Sequence, residues 1–145
     1  MKINKLTSLA TAESCTGGSI AKKIVSKNGA SAYFKGGVVA YSNEAKENIL
    51  GVDPVLLKKY GAVSRQVVLA MALGASRIFK ADYAVSTSGI AGPSGATKNK
   101  PVGLVWIGVK TPQKLMAKKF IFKGSRAAII RQATANALKL LEELS

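Results

Sequence analysis

The sequence predicts an α/β domain, a three-layer α/β/α sandwich built on a mixed sheet. Strand-like apolar runs near residues 6–13, 34–41 and 83–88 alternate with segments of helical period. That alternation stacks helices on both faces of a sheet. Two later runs, 102–110 and 115–123, flank Thr111-Pro112 and read as a hairpin. A hairpin pairs antiparallel, so the sheet is mixed and not purely parallel. The chain has 145 residues and no linker, internal repeat or low-complexity tract. It is therefore read as one domain over residues 1–145.

The elements follow from the N-terminus. The first strand, Leu6 to Glu13, runs into Ser14-Cys15-Thr16-Gly17-Gly18, and a helix follows from Gly18 to Lys27 with Ile20, Ala21, Ile24 and Val25 on one face. Asn28-Gly29 stops it. A second strand runs from Phe34 to Tyr41, after which Ser42 caps a short helix that carries Glu44 and Glu47. Asp53-Pro54 reads as a cap followed by proline at the first helical position, in a helix ending near Tyr60-Gly61. Ser64 caps a longer helix whose buried face carries Val67, Val68, Met71, Ala72, Ala75, Ile78 and Phe79. The third strand, Tyr83 to Ser88, opens into a loop of glycine, proline and lysine from Gly89 to Pro101. After the hairpin, Ser125 caps a last helix to Leu144.

Composition narrows the chemistry. There is no histidine, which excludes histidine-based triads and histidine-rich zinc sites together. One cysteine and seven acidic residues make a structural metal site an unfavourable reading, and neither a metal nor an organic cofactor is expected. Any nucleophile must be activated by lysine, tyrosine, a carboxylate or a helix end. A single cysteine permits no intrachain disulfide, no apolar run approaches a membrane span, and residues 1–12 lack the apolar core of a secretory signal. The expectation is a cytosolic protein. The formal charge of +15 points to anionic ligands. The lysines are spread along the chain and the basic stretches lack interleaved aromatics, so nucleic acid is a possible partner but not the favoured one.

Three polar clusters sit where strands end: Glu13-Ser14-Cys15-Thr16, Tyr41-Ser42-Asn43 and Thr87-Ser88. If those strands run parallel, the clusters meet in one crevice beyond their carboxyl ends. The first cluster turns into a helix through two glycines, which aims helix N–H groups at an oxyanion or phosphate. Ser14 or Thr16 could equally serve only as a helix cap. Lys46 lies one turn into a helix, where the positive end of the dipole disfavours its charged form. A lysine general base needs that; a solvated lysine is the plainer alternative. Tyr41 could orient or relay a proton, or simply close the core. Cys15 could compete as nucleophile, or be a small buried hydrophobe. Arg126 opens the last helix, where the dipole does not favour a cation; it suits carboxylate or phosphate oxygens, or is a surface arginine.

Together these residues resemble the C-terminal domain of the competence/damage-inducible CinA family. The carriers are Thr11-Ala12-Glu13-Ser14-Cys15-Thr16-Gly17-Gly18, Gly36 through Lys46, Gly61-Ala62-Val63-Ser64, Ser88-Gly89-Ile90-Ala91-Gly92-Pro93 and Lys100-Pro101-Val102-Gly103. The resemblance implies an α/β/α domain that hydrolyses the carboxamide of nicotinamide mononucleotide to nicotinate mononucleotide and ammonia. By position it implies Ser14 as nucleophile, assisted by Tyr41 and Lys46. It also implies a nucleotide-binding set of Thr16, Gly17, Ser42, Ser88, Gly89 and Arg126, with Ser88 standing where the family usually has threonine. The family's usual Gly-Pro-Gly-Gly reads Gly92-Pro93-Ser94-Gly95, and the acidic residue common before the final arginine is Ser125. The family usually carries a helix before the first strand. Without it, one flank of the sheet is expected to be bare or covered by a second subunit, and a homo-oligomer is the expectation. The rival reading of the same fold is a nucleotide- or nucleic-acid-binding module with weak catalysis.

Overall fold

The computed structural model describes residues 2–145. Five strands form its sheet: β1 (Leu9–Glu13), β2 (Phe34–Val39), β3 (Tyr83–Gly89), β4 (Leu104–Lys110) and β5 (Leu115–Ile121). The helices between and after them are α1 (Ser19–Val25), α2 (Asn43–Asn48), α3 (Pro54–Tyr60), α4 (Arg65–Phe79) and α5 (Arg126–Leu144). Four of these helices start where a polar residue caps a free backbone N–H. Ser42, Asp53, Ser64 and Ser125 accept from the N–H groups of Ala45, Val55, Val67 and Ala128. Each is a cap read from the sequence.

The strand order is β2-β1-β3-β4-β5. β1 pairs parallel with β2 and β3, whereas β3–β4 and β4–β5 are antiparallel. The sheet is mixed, and its three parallel strands end on the same side. The chain leaves β1 to form β2 on one flank, then crosses to form β3 on the other. That reversal opens a crevice at the carboxyl ends of β1 and β3.

Two cores fill the two faces. On one, Ile20 and Ile24 of α1 and Ile129, Ala133 and Leu141 of α5 pack with Leu9, Val85, Val105 and Ile107. On the other, Val67, Met71, Ala72 and Ala75 of α4 pack with Leu50, Leu57, Ala10, Ala12 and Ala84. Each fully buried large side chain contributes about 1.5–3 kcal/mol. Leu9 and Ala10 alternate between the cores because successive strand side chains point to opposite faces.

The elements differ from expectation mainly at their ends. β1 starts at Leu9, three residues later than the apolar pattern suggests. Thr7 and Ser8 are tied instead to the turn before β3: Thr7 Oγ1 donates to Asp82 Oδ2 at 2.6 Å and Asp82 N donates to Ser8 Oγ at 2.8 Å. β2 stops at Val39, where β1 also ends its ladder. β4 begins at Leu104, since Val102 and Gly103 turn out of the loop. β2 forms one edge of the sheet, and Val39 on it is half exposed.

Candidate active site

β1 carries Ser14 to the crevice, where its N–H donates to the Thr87 carbonyl oxygen of β3 at 3.0 Å. The chain then turns sharply. Gly17 and Gly18 have φ of 58° and 100°, conformations that favour glycine. The turn presents Ser14 Oγ 3.0 Å from Lys46 Nζ.

Lys46 comes from α2 and is 1% exposed. Its Nζ also lies 3.0 Å from the Ala40 carbonyl oxygen and 3.3 Å from that of Tyr41. All three neighbours are uncharged oxygens. Burial lowers the pKa of this amine from its ordinary 10.5, because no adjacent carboxylate rewards the charged form. Charged, Nζ donates to all three oxygens; neutral, its two hydrogens go to the carbonyls, which can only accept, and its lone pair can then take the Ser14 proton.

Cys15 lines the same cleft but is chemically distant from a nucleophile. Its thiol is pushed up to about 12, first by burial and also by the negative charge of Glu13. At neutral pH it is a thiol, not a thiolate.

The cleft around Ser14 and Lys46 holds about 300 Å³. Tyr41, Asn43 and Arg126 stand at one wall, Ala62 and Val63 at another, and the loop from Ser88 to Gly95 forms the third. Arg126 Nη1 donates to the Gly92 carbonyl oxygen at 2.8 Å and Nη2 to Tyr41 Oη at 3.1 Å. The guanidinium thus bridges the loop after β3 and the loop after β2. The Tyr41 hydroxyl is engaged with Arg126, not with Ser14, and the tyrosine ring is 63% exposed. The part of Tyr41 that touches Lys46 is its backbone carbonyl. Ser88 is buried and donates to the Ala62 carbonyl oxygen at 2.8 Å, joining two walls of the cleft. A Cβ on Gly89 would lie 2.7 Å from the Leu104 carbonyl oxygen, so only glycine fits there.

Three residues expected in the binding set lie elsewhere. Thr16 turns inward: its Oγ1 donates to Glu13 Oε1 at 2.6 Å and lies 2.8 Å from Thr87 Oγ1. Gly17 does not line the cleft, and its N–H is committed to the Ser14 carbonyl oxygen at 3.1 Å. Ser42 caps α2 and faces its first turn. The start of α1 is no anion site either. Glu13 already fills it, accepting from Ile20 N at 2.9 Å and Ala21 N at 3.0 Å. A carboxylate at the positive end of a helix is stabilising. Sequence reading placed Glu13 in the first polar cluster without a role of its own, although an acidic residue just before a helical segment was the signal. Ala62 and Val63 were also given no part, and their only signal was membership of a motif shared with the resembling family.

The domain is an α/β/α sandwich with the Ser14–Lys46 contact at the reversal point of its sheet. The chain belongs to the CinA C-terminal domain family, whose model matches residues 1–145. It is 52% identical over 132 residues to the nicotinamide-nucleotide amidohydrolase PncC of Escherichia coli strain K12, covering 90% of this chain and 80% of that protein. It is 51% identical over 138 residues to a competence-damage inducible protein of Thermoanaerobacter pseudethanolicus. That match covers 95% of this chain but spans only 33% of the relative's length. Among solved structures, the competence/damage inducible protein CihA from Agrobacterium tumefaciens superposes with a TM-score of 0.92 at 40% identity, covering 95% of this chain and 85% of that one. Among the described residues no helix is long and apolar enough to cross a membrane.

Proposed function

We propose that the chain is a nicotinamide-nucleotide amidohydrolase that converts nicotinamide mononucleotide to nicotinate mononucleotide and ammonia. The observation that carries this reading is the 3.0 Å pair of Ser14 Oγ and buried Lys46 Nζ. The substrate class comes from the similarity to the amidohydrolase of E. coli.

Ser14 loses its proton to neutral Lys46 as its oxygen attacks the carboxamide carbon. The resulting oxyanion meets the N–H groups of Cys15 and Thr16, which have no backbone carbonyl partner, whereas that of Gly17 does. Each aligned donor is worth about 3 kcal/mol in the transition state. Lys46 returns the proton to the departing nitrogen, which leaves as ammonia, and an acyl ester on Ser14 remains. Water then attacks that ester with Lys46 again as base, freeing the carboxylate and restoring the serine. No step needs a metal or cofactor. Arg126, Ser88 and the 89–95 loop hold the ribose-phosphate, and the surplus of positive charge steers the anion to the cleft. A second copy covers the β2 edge, a reading supported by Val25 and Val39 at 57% and 50% exposure; light scattering tests it.

Ammonia release from nicotinamide mononucleotide, measured beside Ser14→Ala and Lys46→Ala, tests the chemistry. Turnover lost in both variants supports it. Turnover surviving in Ser14→Ala removes the nucleophile assignment, and an inactive wild type favours a binding module.

A further inference from the structure

Glu13 is 1% exposed, adjoins the serine and makes no contact with the cleft. A buried carboxylate is costly unless every oxygen is satisfied. Oε1 accepts from the Thr16 hydroxyl and from Ile20 N, and Oε2 from Ala21 N. These bonds have a direction. A carboxylate cannot donate, so Thr16 gives its only hydroxyl hydrogen to Glu13. The hydroxyl of Thr87, 2.8 Å from Thr16 Oγ1, must then donate to Thr16. The carbonyl of Thr87 meanwhile holds the N–H of Ser14. One carboxylate therefore orders Thr16 and Thr87, and it clamps the start of α1 behind the turn that carries Ser14.

We infer that Glu13 is the positioning residue of this site, its carboxylate clamping the start of α1 and aligning a one-way hydrogen-bond chain from Thr87 through Thr16, which together fix the Ser14 turn against Lys46. The inference rests on the reading of Ser14 as nucleophile.

The substitution Glu13→Gln keeps the size and removes the charge. Its amide cannot accept at both ends. Oε1 serves both Thr16 and Ile20 and Oε2 serves Ala21, so either orientation sets the NH₂ against an α1 N–H and loosens the clamp. In nicotinamide mononucleotide hydrolysis, Glu13→Gln is expected to lower kcat by about tenfold or more with KM within about threefold. Thr16→Val is expected to do the same and Thr16→Ser to restore wild-type turnover. A residue that only supports the fold would not give this split between kcat and KM with rescue by Thr16→Ser. If Glu13→Gln does not fold, the Thr16 pair carries the measurement. Wild-type kcat in Glu13→Gln and Thr16→Val, with Ser14→Ala inactive, overturns the role of Glu13. An active Ser14→Ala instead removes the nucleophile reading on which it rests.

Discussion

Lys46 Nζ stands 3.0 Å from Ser14 Oγ although 32 positions separate them in the chain. The contact is made beyond the ends of β1 and β2, where the chain has entered α2. Its chemistry depends on burial: the same lysine in water would carry a proton and could not act as a base.

The pH dependence of the reaction follows from that burial. The proposed mechanism needs Lys46 neutral, and its pKa is lowered from 10.5. Activity is therefore expected to rise with pH and to level off at a midpoint below 10.5, with an acid limb of about tenfold per unit. Lys46→Arg keeps the charge and cannot deprotonate, so a loss of about a thousandfold is expected. A pH–kcat/KM profile checks both. Folding shares the sign. A depressed folded pKa contributes stability at high pH that is lost as pH falls. Cys15, raised from 9.0 to about 12, acts oppositely above pH 9, so melting temperatures are compared below that value.

Tyr41 separates a relay from a support. Its hydroxyl accepts from Arg126 Nη2 and its carbonyl oxygen contacts Lys46. Tyr41→Phe keeps the carbonyl and loses only the hydroxyl. The expected result in steady-state kinetics is a KM raised by about tenfold with kcat within about threefold. A kcat lowered by about a hundredfold would restore the relay role.

Ser42 distinguishes a cap from a substrate ligand. Its side chain accepts from Ala45 N at 3.0 Å and does not line the cleft. Ser42→Ala is expected to cost about 1 kcal/mol of stability. In urea unfolding that loss should appear, while the KM for the nucleotide stays unchanged.

Two core substitutions have opposite expected signs. Thr11 Oγ1 is buried without a hydrogen-bond partner. Thr11→Val keeps the shape and removes the unsatisfied hydroxyl, so a gain of about 1 kcal/mol is expected. Gly74 in α4 lies against the chain after α2, and a Cβ there would sit 2.2 Å from the Leu50 carbonyl oxygen. Gly74→Ala is expected to cost about 2 kcal/mol, despite the better helix propensity of alanine. Urea denaturation reads both.

Much of the fold was legible because its signals are local. The caps at Ser42, Asp53, Ser64 and Ser125 each act within three residues, so their position in sequence nearly equals their position in space. The hairpin around Thr111-Pro112 is equally local. β1 was read too long because its first residues alternate like a strand, while their partners lie some 75 positions away at Asp82. Within the site, Ser14, Tyr41, Lys46, Ser88, Gly89 and Arg126 do meet in one cleft. Thr16, Gly17 and Ser42 do not, because hydroxyls beside helix starts find backbone or carboxylate partners before they find a ligand.

The sequence by itself determined the element order, the helix starts, the absence of histidine chemistry and the resemblance to one family. It did so because periodicity, capping and composition are properties of neighbouring residues. Only the tertiary structure decided three further things. Three strands run parallel, and the direction in which the chain adds strands reverses at β1. Lys46 is buried against uncharged oxygens, 3.0 Å from Ser14 Oγ. Glu13, not the substrate, fills the start of α1. Each depends on desolvation and on contacts between distant segments, and these exist only once the sheet has closed over its helices.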